Sequence, residues 1–237
     1  MNLSEIINDS DMILVGIGEV FQDKFENINI KDHKNSTIFD DYAIKQYLNE
    51  LSSDATIEAY NKLADLLVGK NYFIITLCND DKIFKSNLNH DRIVAPCGTY
   101  SVLQCEDVCT NEFYPLEEYE EQIKKGEEPI CPHCGKKLIM NHLGCNKYSE
   151  EWYLEKWSLY TKWLQGTLNK NLCVLELGVG MKYPSVIRWP FEKVVFINQK
   201  AKLIRVHESL YQLTQEVKDK GTSVQADPIE FLRNQIV

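Results

Sequence analysis

Val174-Leu175-Glu176-Leu177-Gly178-Val179-Gly180 is an apolar run that breaks into Gly-x-Gly. Such a run reads as a buried strand turning into a loop, where glycines let backbone N–H groups approach a phosphate or ribose at the start of a helix. Gly178, Val179 and Gly180 are therefore candidate binding residues. A second run of this shape, Met12 to Gly18, ends in Gly16-Ile17-Gly18. Gly16 and Gly18 form the other candidate nucleotide loop, although Glu19 follows at once and would set a like charge against a pyrophosphate. A tight strand-to-helix turn explains that pair equally well.

Further strands are expected over 72–77, 93–96 and 194–197, each a short apolar run of the kind that a sheet covered on both faces requires. Helices are expected over 40–50, 54–68, 149–164 and 207–218. In the second, Ser53 is the cap, Ile57, Tyr60, Leu63, Ala64 and Leu67 line one face, and Gly69 ends the helix. Trp152, Trp157 and Trp163 sit at helical spacing and should pack on the sheet. A last helix opens at Asp227-Pro228, a capping Asp followed by Pro at the first helical position. Strands and helices alternate around a cysteine-rich insert, which predicts an α/β fold: a Rossmann-like doubly wound parallel sheet with a small zinc-binding module inserted.

The insert supplies Cys105-x-x-x-Cys109 and Cys131-x-x-Cys134, about twenty residues apart. Two short chelating pairs give four thiolates, enough to close a tetrahedral zinc shell with no open position for water, so the expected metal is structural. His133 and His142 are alternative ligands. In a chain with eight cysteines, this pairing fits a reducing compartment better than disulfides do, and the protein is expected to be cytoplasmic. Cys173 falls within a strand and should be a core residue; Cys145 has no assignment. His90 and His207 stand in polar contexts and are expected at the surface. The 237 residues carry a net charge of −9, with 44% hydrophobic and 26% charged residues. That balance suits one soluble core with a small satellite and argues against nucleic acid as a partner. There is no basic leader pattern and no apolar run near the roughly 20 residues that a membrane span needs.

The loop after Leu177 also resembles the first motif of S-adenosylmethionine methyltransferases. Only about sixty residues follow it, too few for the rest of such a sheet at ~30 residues per βαβ unit. The next expected strand, moreover, ends in Asn198-Gln199 rather than in an acidic ribose ligand. Taken together, several segments instead resemble the sirtuin family, and within it the microbial class M, the ADP-ribosyltransferase type associated with lipoylation and macrodomain functions. They are Gln104-Cys105 and Cys131-Pro132-His133-Cys134-Gly135; Glu176 to Gly180 with Pro184, Ile187-Arg188 and Pro190-Phe191; Phe196-Ile197-Asn198-Gln199; and Val224-Gln225-Ala226-Asp227.

The resemblance implies that residues 1–96 and 150–237 form a Rossmann-like NAD-binding domain and that 97–149 form the zinc-binding small module. It implies that Asn198 and Gln199 meet the adenine-side ribose, and that Ala226 and Asp227 border the adenine. It further implies that Thr76-Leu77-Cys78-Asn79-Asp80 is the segment holding the nicotinamide ribose. Strict register puts Cys78 where the family has Asn, whereas a shift of one restores Asn79. Cys97-Gly98 stands where deacylases have His-Gly and the microbial class Gln-Gly, and Gly16-Ile17-Gly18-Glu19-Val20 replaces Gly-Ala-Gly-x-Ser. The segment from that loop to the first long helix is short for the family.

The chemistry implied is loss of nicotinamide from NAD and attack on the ribose C1′ by an acyl-lysine oxygen or a protein acceptor. Asn79, Asp80 and Cys97 are the catalytic candidates. A thiol at Cys97 acts as a base only if its pKa falls well below ~8.5, and no Lys or Arg adjoins it in sequence. The expected function is thus an NAD-dependent protein ADP-ribosyltransferase or deacylase with degenerate motifs, acting on an acylated or lipoylated protein. The alternatives are an inactive NAD or ADP-ribose binder, a redox or acceptor role for Cys97, and a methyltransferase or bare zinc scaffold.

Overall fold

A computed structural model describes residues 2–22, 36–50 and 54–236. Six strands form one parallel sheet: β1 (Met12–Ile17), β2 (Asn71–Thr76), β3 (Ile93–Val94), β7 (Leu172–Leu177), β8 (Ala201–Val206) and β9 (Gly221–Val224), in spatial order β3-β2-β1-β7-β8-β9. Three antiparallel strands, β4 (Gly98–Cys105), β5 (Tyr114–Pro115) and β6 (Leu138–His142), form a second layer in the order β5-β4-β6. The helices are α1 (Leu3–Asn8), α2 (Ile38–Glu50), α3 (Asp54–Leu66), α4 (Glu120–Lys124), α5 (Glu151–Gln165), α6 (Arg188–Ile197) and α7 (Pro228–Arg233). Among the described residues, no helix is long and apolar enough to cross a membrane.

The strands are apolar on both faces because both faces are covered. On one side Ile13, Val15 and Ile17 of β1 join Leu3, Tyr60, Leu63 and Leu232 from α1, α3 and α7. On the other, Met12 and Leu14 join Tyr160 of α5 and Phe191 and Val195 of α6, with Trp157 and Trp163 packed alongside as their spacing predicts. Trp152 departs from them: it is 40% exposed and meets Phe113 edge-on. A third cluster lies in the small layer, where Ile38, Ile44 and Leu48 of α2 pack on Tyr100, Leu103, Leu138 and Met140. Helix α2 thus shares the core of the cysteine-bearing layer although it precedes β2 in the chain. Asp227 caps α7 as expected, accepting from the Ile229 and Glu230 N–H groups. The expected Ser53 cap of α3 lies outside the described residues.

Three expectations fail near the end of the chain. Residues 194–197 are the last turn of α6, not a strand, and Phe196 and Ile197 are each 54% exposed. The helix is set by Phe191 and Val195, buried four residues apart, with Arg188 and Glu192 at the same spacing. The next strand is β8, and residues 207–217 that follow it are irregular rather than helical. His207 is buried rather than at the surface, its Nδ1 accepting from the Ser209 and Leu210 N–H groups.

Strand β8 is hard to recognise because Arg205 interrupts its apolar pattern. In the structure Arg205 is 1% exposed and pairs in register with Glu176 of β7, itself fully buried. Nε and Nη2 of Arg205 donate to the two Glu176 carboxylate oxygens at 2.7 and 3.0 Å, and Nη2 also reaches Glu192 at 2.8 Å. A two-pronged contact of this kind supports a charge that could not otherwise leave water.

The small layer is clipped by Cys105, Cys109, Cys131 and Cys134, whose four sulfurs all lie within 4.8 Å of one another. Cys105 to Cys134 is 3.5 Å and Cys109 to Cys131 is 3.6 Å, close to the ~3.8 Å edge of a tetrahedron with Zn–S bonds of ~2.3 Å. The donor set therefore fits a structural zinc ion. Neither histidine competes: His133 bonds Glu112 at 2.8 Å and His142 bonds Asp41 at 3.2 Å. Gly135 turns the second knuckle with φ of +71°, and nothing lies within 4 Å of a Cβ there, so backbone conformation rather than crowding explains the glycine.

Replacing Arg205 by Ala strands the Glu176 carboxylate in the core, and urea unfolding should show a loss of about 3–5 kcal/mol. Metal analysis should find one zinc per chain, and stripping it with a strong chelator should lower the melting temperature by about 10 °C or more. An unchanged melting curve after complete removal would rule out the structural role.

Candidate functional site

The order of strands reverses between β1 and β7, so their carboxyl ends mark the point where an open parallel sheet offers a crevice. Both glycine loops leave the sheet there and touch each other. Gly18 donates its N–H to Leu177 O at 2.8 Å, and Val20 donates to Gly178 O at 3.3 Å. A Cβ on Gly18 would fall 2.1 Å from Gly178 O and 2.2 Å from Val179 Cα. Gly178 has φ of +62° and lies against Val20 and Pro228. Of the first pair, then, Gly18 shapes the crevice. Gly16 stays inside β1, where a Cβ would collide with Ile187 and Phe191 of α6, so packing accounts for it.

The second loop is braced from beneath. Arg188 donates through Nη2 to Val179 O at 2.5 Å and Leu210 O at 3.0 Å, and lies 3.2 Å from Glu176. One guanidinium thus joins the loop, the segment after β8 and the buried carboxylate. Ala226 packs at the edge of the first core cluster, and Asp227 caps the helix whose first residue, Pro228, would meet a Cβ on Gly178 at 3.0 Å. The start of this helix thus lies against the second loop.

Asn198 and Gln199 do not. With residues 194–197 helical, Asn198 ends α6 at the opposite, amino-terminal edge of the sheet, just before β8. Its side chain donates to Thr167 O and Lys170 O at 2.9 and 3.2 Å, and Gln199 is exposed beside it. The residue that follows the next strand at the crevice end is His207.

A cavity of about 110 Å³ lies where the loops meet the edge of the small layer, bordered by Glu19, Gln22, Asn79, Cys97, Lys182 and Tyr183. Asn79 faces it and accepts from Gln22 Nε2 at 2.6 Å. Cys78 instead turns into the core, with its Sγ 3.3 Å from Gly18 O. Thr76 is buried and accepts from the Cys78 N–H at 3.1 Å, fixing the bend that presents Asn79. Asp80 does not border the cavity; it is buried and lies 3.9 Å from Lys82.

Burial pushes the Cys97 thiol up to about 12, with Lys182 opposing and Glu19 reinforcing that shift. Lys182, from the second glycine loop, is the neighbouring cation that the sequence around Cys97 does not reveal. It does not make a thiolate. His142 borders the same cavity, but Nε2 is held by Asp41, Nδ1 accepts from the Gly144 N–H at 3.1 Å, and the ring lies 4.8 Å from that of Tyr100. Both of its nitrogens are committed. Sequence reasoning missed Gln22, Lys182 and Tyr183 because only the fold brings them to Asn79.

A larger cavity, about 540 Å³, lies elsewhere, against Asp81, His90, Thr99, Ser101 and Trp152. The smaller one carries the candidate chemistry, since Asn79 and the residues that follow both glycine loops, Glu19 and Lys182, border it.

No family model matches the chain. Two curated proteins are similar to it. One, from Fusarium oxysporum f. sp. cubense, is named a probable bifunctional ADP-ribose hydrolase/ADP-ribosyltransferase and is 29% identical over 76% of this chain and 34% of its own length. The chain thus spans about a third of that relative. The other, from Staphylococcus aureus, is named a protein ADP-ribosyltransferase and is 20% identical over 95% of this chain and 83% of its own. Among solved structures, a sirtuin described for the structural basis of its substrate affinity superposes with a TM-score of 0.65 at 17% identity, covering 98% of this chain and 97% of its own. A complex of Sir2 with a p53 peptide and NAD+ gives 0.58 at 16%, covering 97% and 93%. The strand order, the cysteine-clipped layer and these superpositions agree: the chain is built on the sirtuin fold.

Proposed function

We propose that the chain binds NAD in the crevice over the carboxyl ends of β1, β2 and β7, and that its chemistry is ADP-ribosyl transfer to a protein acceptor. The observation that carries this reading is that the two glycine loops touch each other, and that the residues just after them, Glu19 and Lys182, meet Asn79 around one cavity. Val179 and Gly180 would face the diphosphate across the turn that Gly18 and Gly178 shape, Asn79 the nicotinamide ribose from the bend that Thr76 fixes, and Ala226 and Asp227 the adenine edge. Bound NAD would supply the ADP-ribosyl group. The acceptor's nucleophile forms a bond to C1′, nicotinamide leaves with the electrons of the broken bond, and the acceptor's proton passes to solvent. The chain's part is to hold the ribose and keep water away from it.

Deacylation needs more: a base that takes a proton from a ribose hydroxyl. At Cys97 there is a neutral thiol, and His142 has no free nitrogen. The names of the two similar proteins also favour transfer over deacylation. The same neutral thiol, together with the Gln22–Asn79 bond across the cavity, supports a second reading, an ADP-ribose binder without turnover.

Calorimetry with NAD and ADP-ribose, paired with a nicotinamide-release assay on acyl-lysine and lipoyl-protein acceptors, separates these readings. Binding with release is expected. Asn79→Ala should cut release about a hundredfold by freeing the ribose, and Cys97→Ala should leave it roughly unchanged. Binding of ADP-ribose without release by any acceptor selects the silent binder. No heat with either ligand removes both.

A further inference from the structure

The anion-binding donor of the second glycine loop already has an acceptor, and it comes from the chain itself. Glu19 Oε2 accepts from the Gly180 N–H at 3.1 Å. A Cβ built on Gly180 would lie 2.2 Å from Glu19 Oε1. The carboxylate therefore sits directly on the glycine that a Gly-x-Gly loop would present to a phosphate. Glu19 opens the short 3-10 turn Glu19–Phe21, and Gln22, which ends that turn, donates to Asn79. One turn thus fastens the second glycine loop at one end and the end of β2 at the other.

The two arginines nearest it are engaged mainly elsewhere. Arg188, which Glu19 influences electrostatically, already binds Val179 O, Leu210 O and Glu176. Arg205 is engaged by Glu176, Glu192 and Gln212 O. His207 beside them is held toward its neutral form, by burial first and then by Arg188. Lys182 is the cation that shares the small cavity with Glu19. A diphosphate arriving at Gly180 would meet a carboxylate in a partly buried site where like charges repel strongly.

We propose that Glu19 determines ligand specificity at this crevice: its carboxylate fills the anion notch of the second glycine loop, so a nucleoside diphosphate enters only by displacing it, whereas an uncharged nucleoside does not. This rests on the nucleotide-binding reading above and adds to it a residue that limits affinity. Displacing Glu19 also pulls on the turn that holds Gln22 against Asn79, so occupancy of the notch is linked to the freedom of the ribose-side Asn.

The test is titration of the full chain and of Glu19→Gln and Glu19→Ala with ADP-ribose and with adenosine, after thermal melts establish that each variant is folded. Glu19→Gln keeps the shape and an acceptor for Gly180 while removing the charge. It should bind ADP-ribose at least about tenfold more tightly than the unaltered chain, with adenosine affinity unchanged. Glu19→Ala should gain as much or more. If all three proteins bind ADP-ribose equally, or the variants bind it more weakly, Glu19 does not oppose the diphosphate and the proposal is overturned while nucleotide binding stands. If none binds either ligand, the nucleotide-binding reading falls and takes this proposal with it.

Discussion

Two strands that are far apart in sequence end side by side, and their exits are pressed together so closely that the first cannot carry a side chain at the point of contact. Gly18 meets the backbone of Gly178 and Val179 at distances that a Cβ would violate by more than an ångström. This contact defines the crevice. It leaves both loops as tightly packed backbone, in which the Gly18 and Gly178 N–H groups are spent on Leu177 O and Val206 O and the Gly180 N–H turns to Glu19. The packing of α6 follows the same logic one layer down, where Gly16 makes room for Ile187 and Phe191. A helix drawn in so tightly brings Arg188 beneath the second loop.

The buried charges belong to this arrangement. Glu176 stands in the middle of an otherwise apolar strand and tolerates it because Arg205 answers from the neighbouring strand in register. Arg188 then spends Nη2 on Val179 O and Leu210 O, which ties the loop to the segment following β8. Such a network contributes little net stability compared with an apolar core of equal volume. Its effect is on position: it fixes the loop's carbonyl side at Val179.

Much of this was legible before any coordinates. β7 stands where its apolar run placed it, and the four clip cysteines were readable because chelation demands short spacing within each pair. The cap at Asp227 was readable because Asp-Pro is a local signal. What failed was the reading of short apolar runs without a partner. Val194 to Ile197 looks like a strand, and only the burial of Phe191 and Val195 four apart identifies the helix. That one misreading carried Asn198 to the wrong end of the sheet and hid β8, whose Arg205 breaks the pattern. A signal was available, since a Glu within a buried strand requires a counter-charge and Arg205 is a nearby residue able to give it. Gln22, Lys182 and the Glu19–Gly180 contact had no comparable signal, because they arise from loops that meet only in three dimensions.

The electrostatics of the crevice follow from where these basic groups went. In an acidic chain of net charge −9, the two arginines nearest the glycine loops are committed to carboxylates and carbonyls before any ligand arrives. Apart from Lys182, the loop's attraction for an anion must then come from backbone N–H groups, which are short-ranged and directional. A side-chain carboxylate a few residues from the first loop can satisfy such a donor as well as a phosphate can, and being tethered it does so without losing translational freedom. On the proposed reading, the site is tuned by competition between a tethered anion and a free one. Its affinity depends less on the number of positive charges than on the ease with which a single short turn lets go.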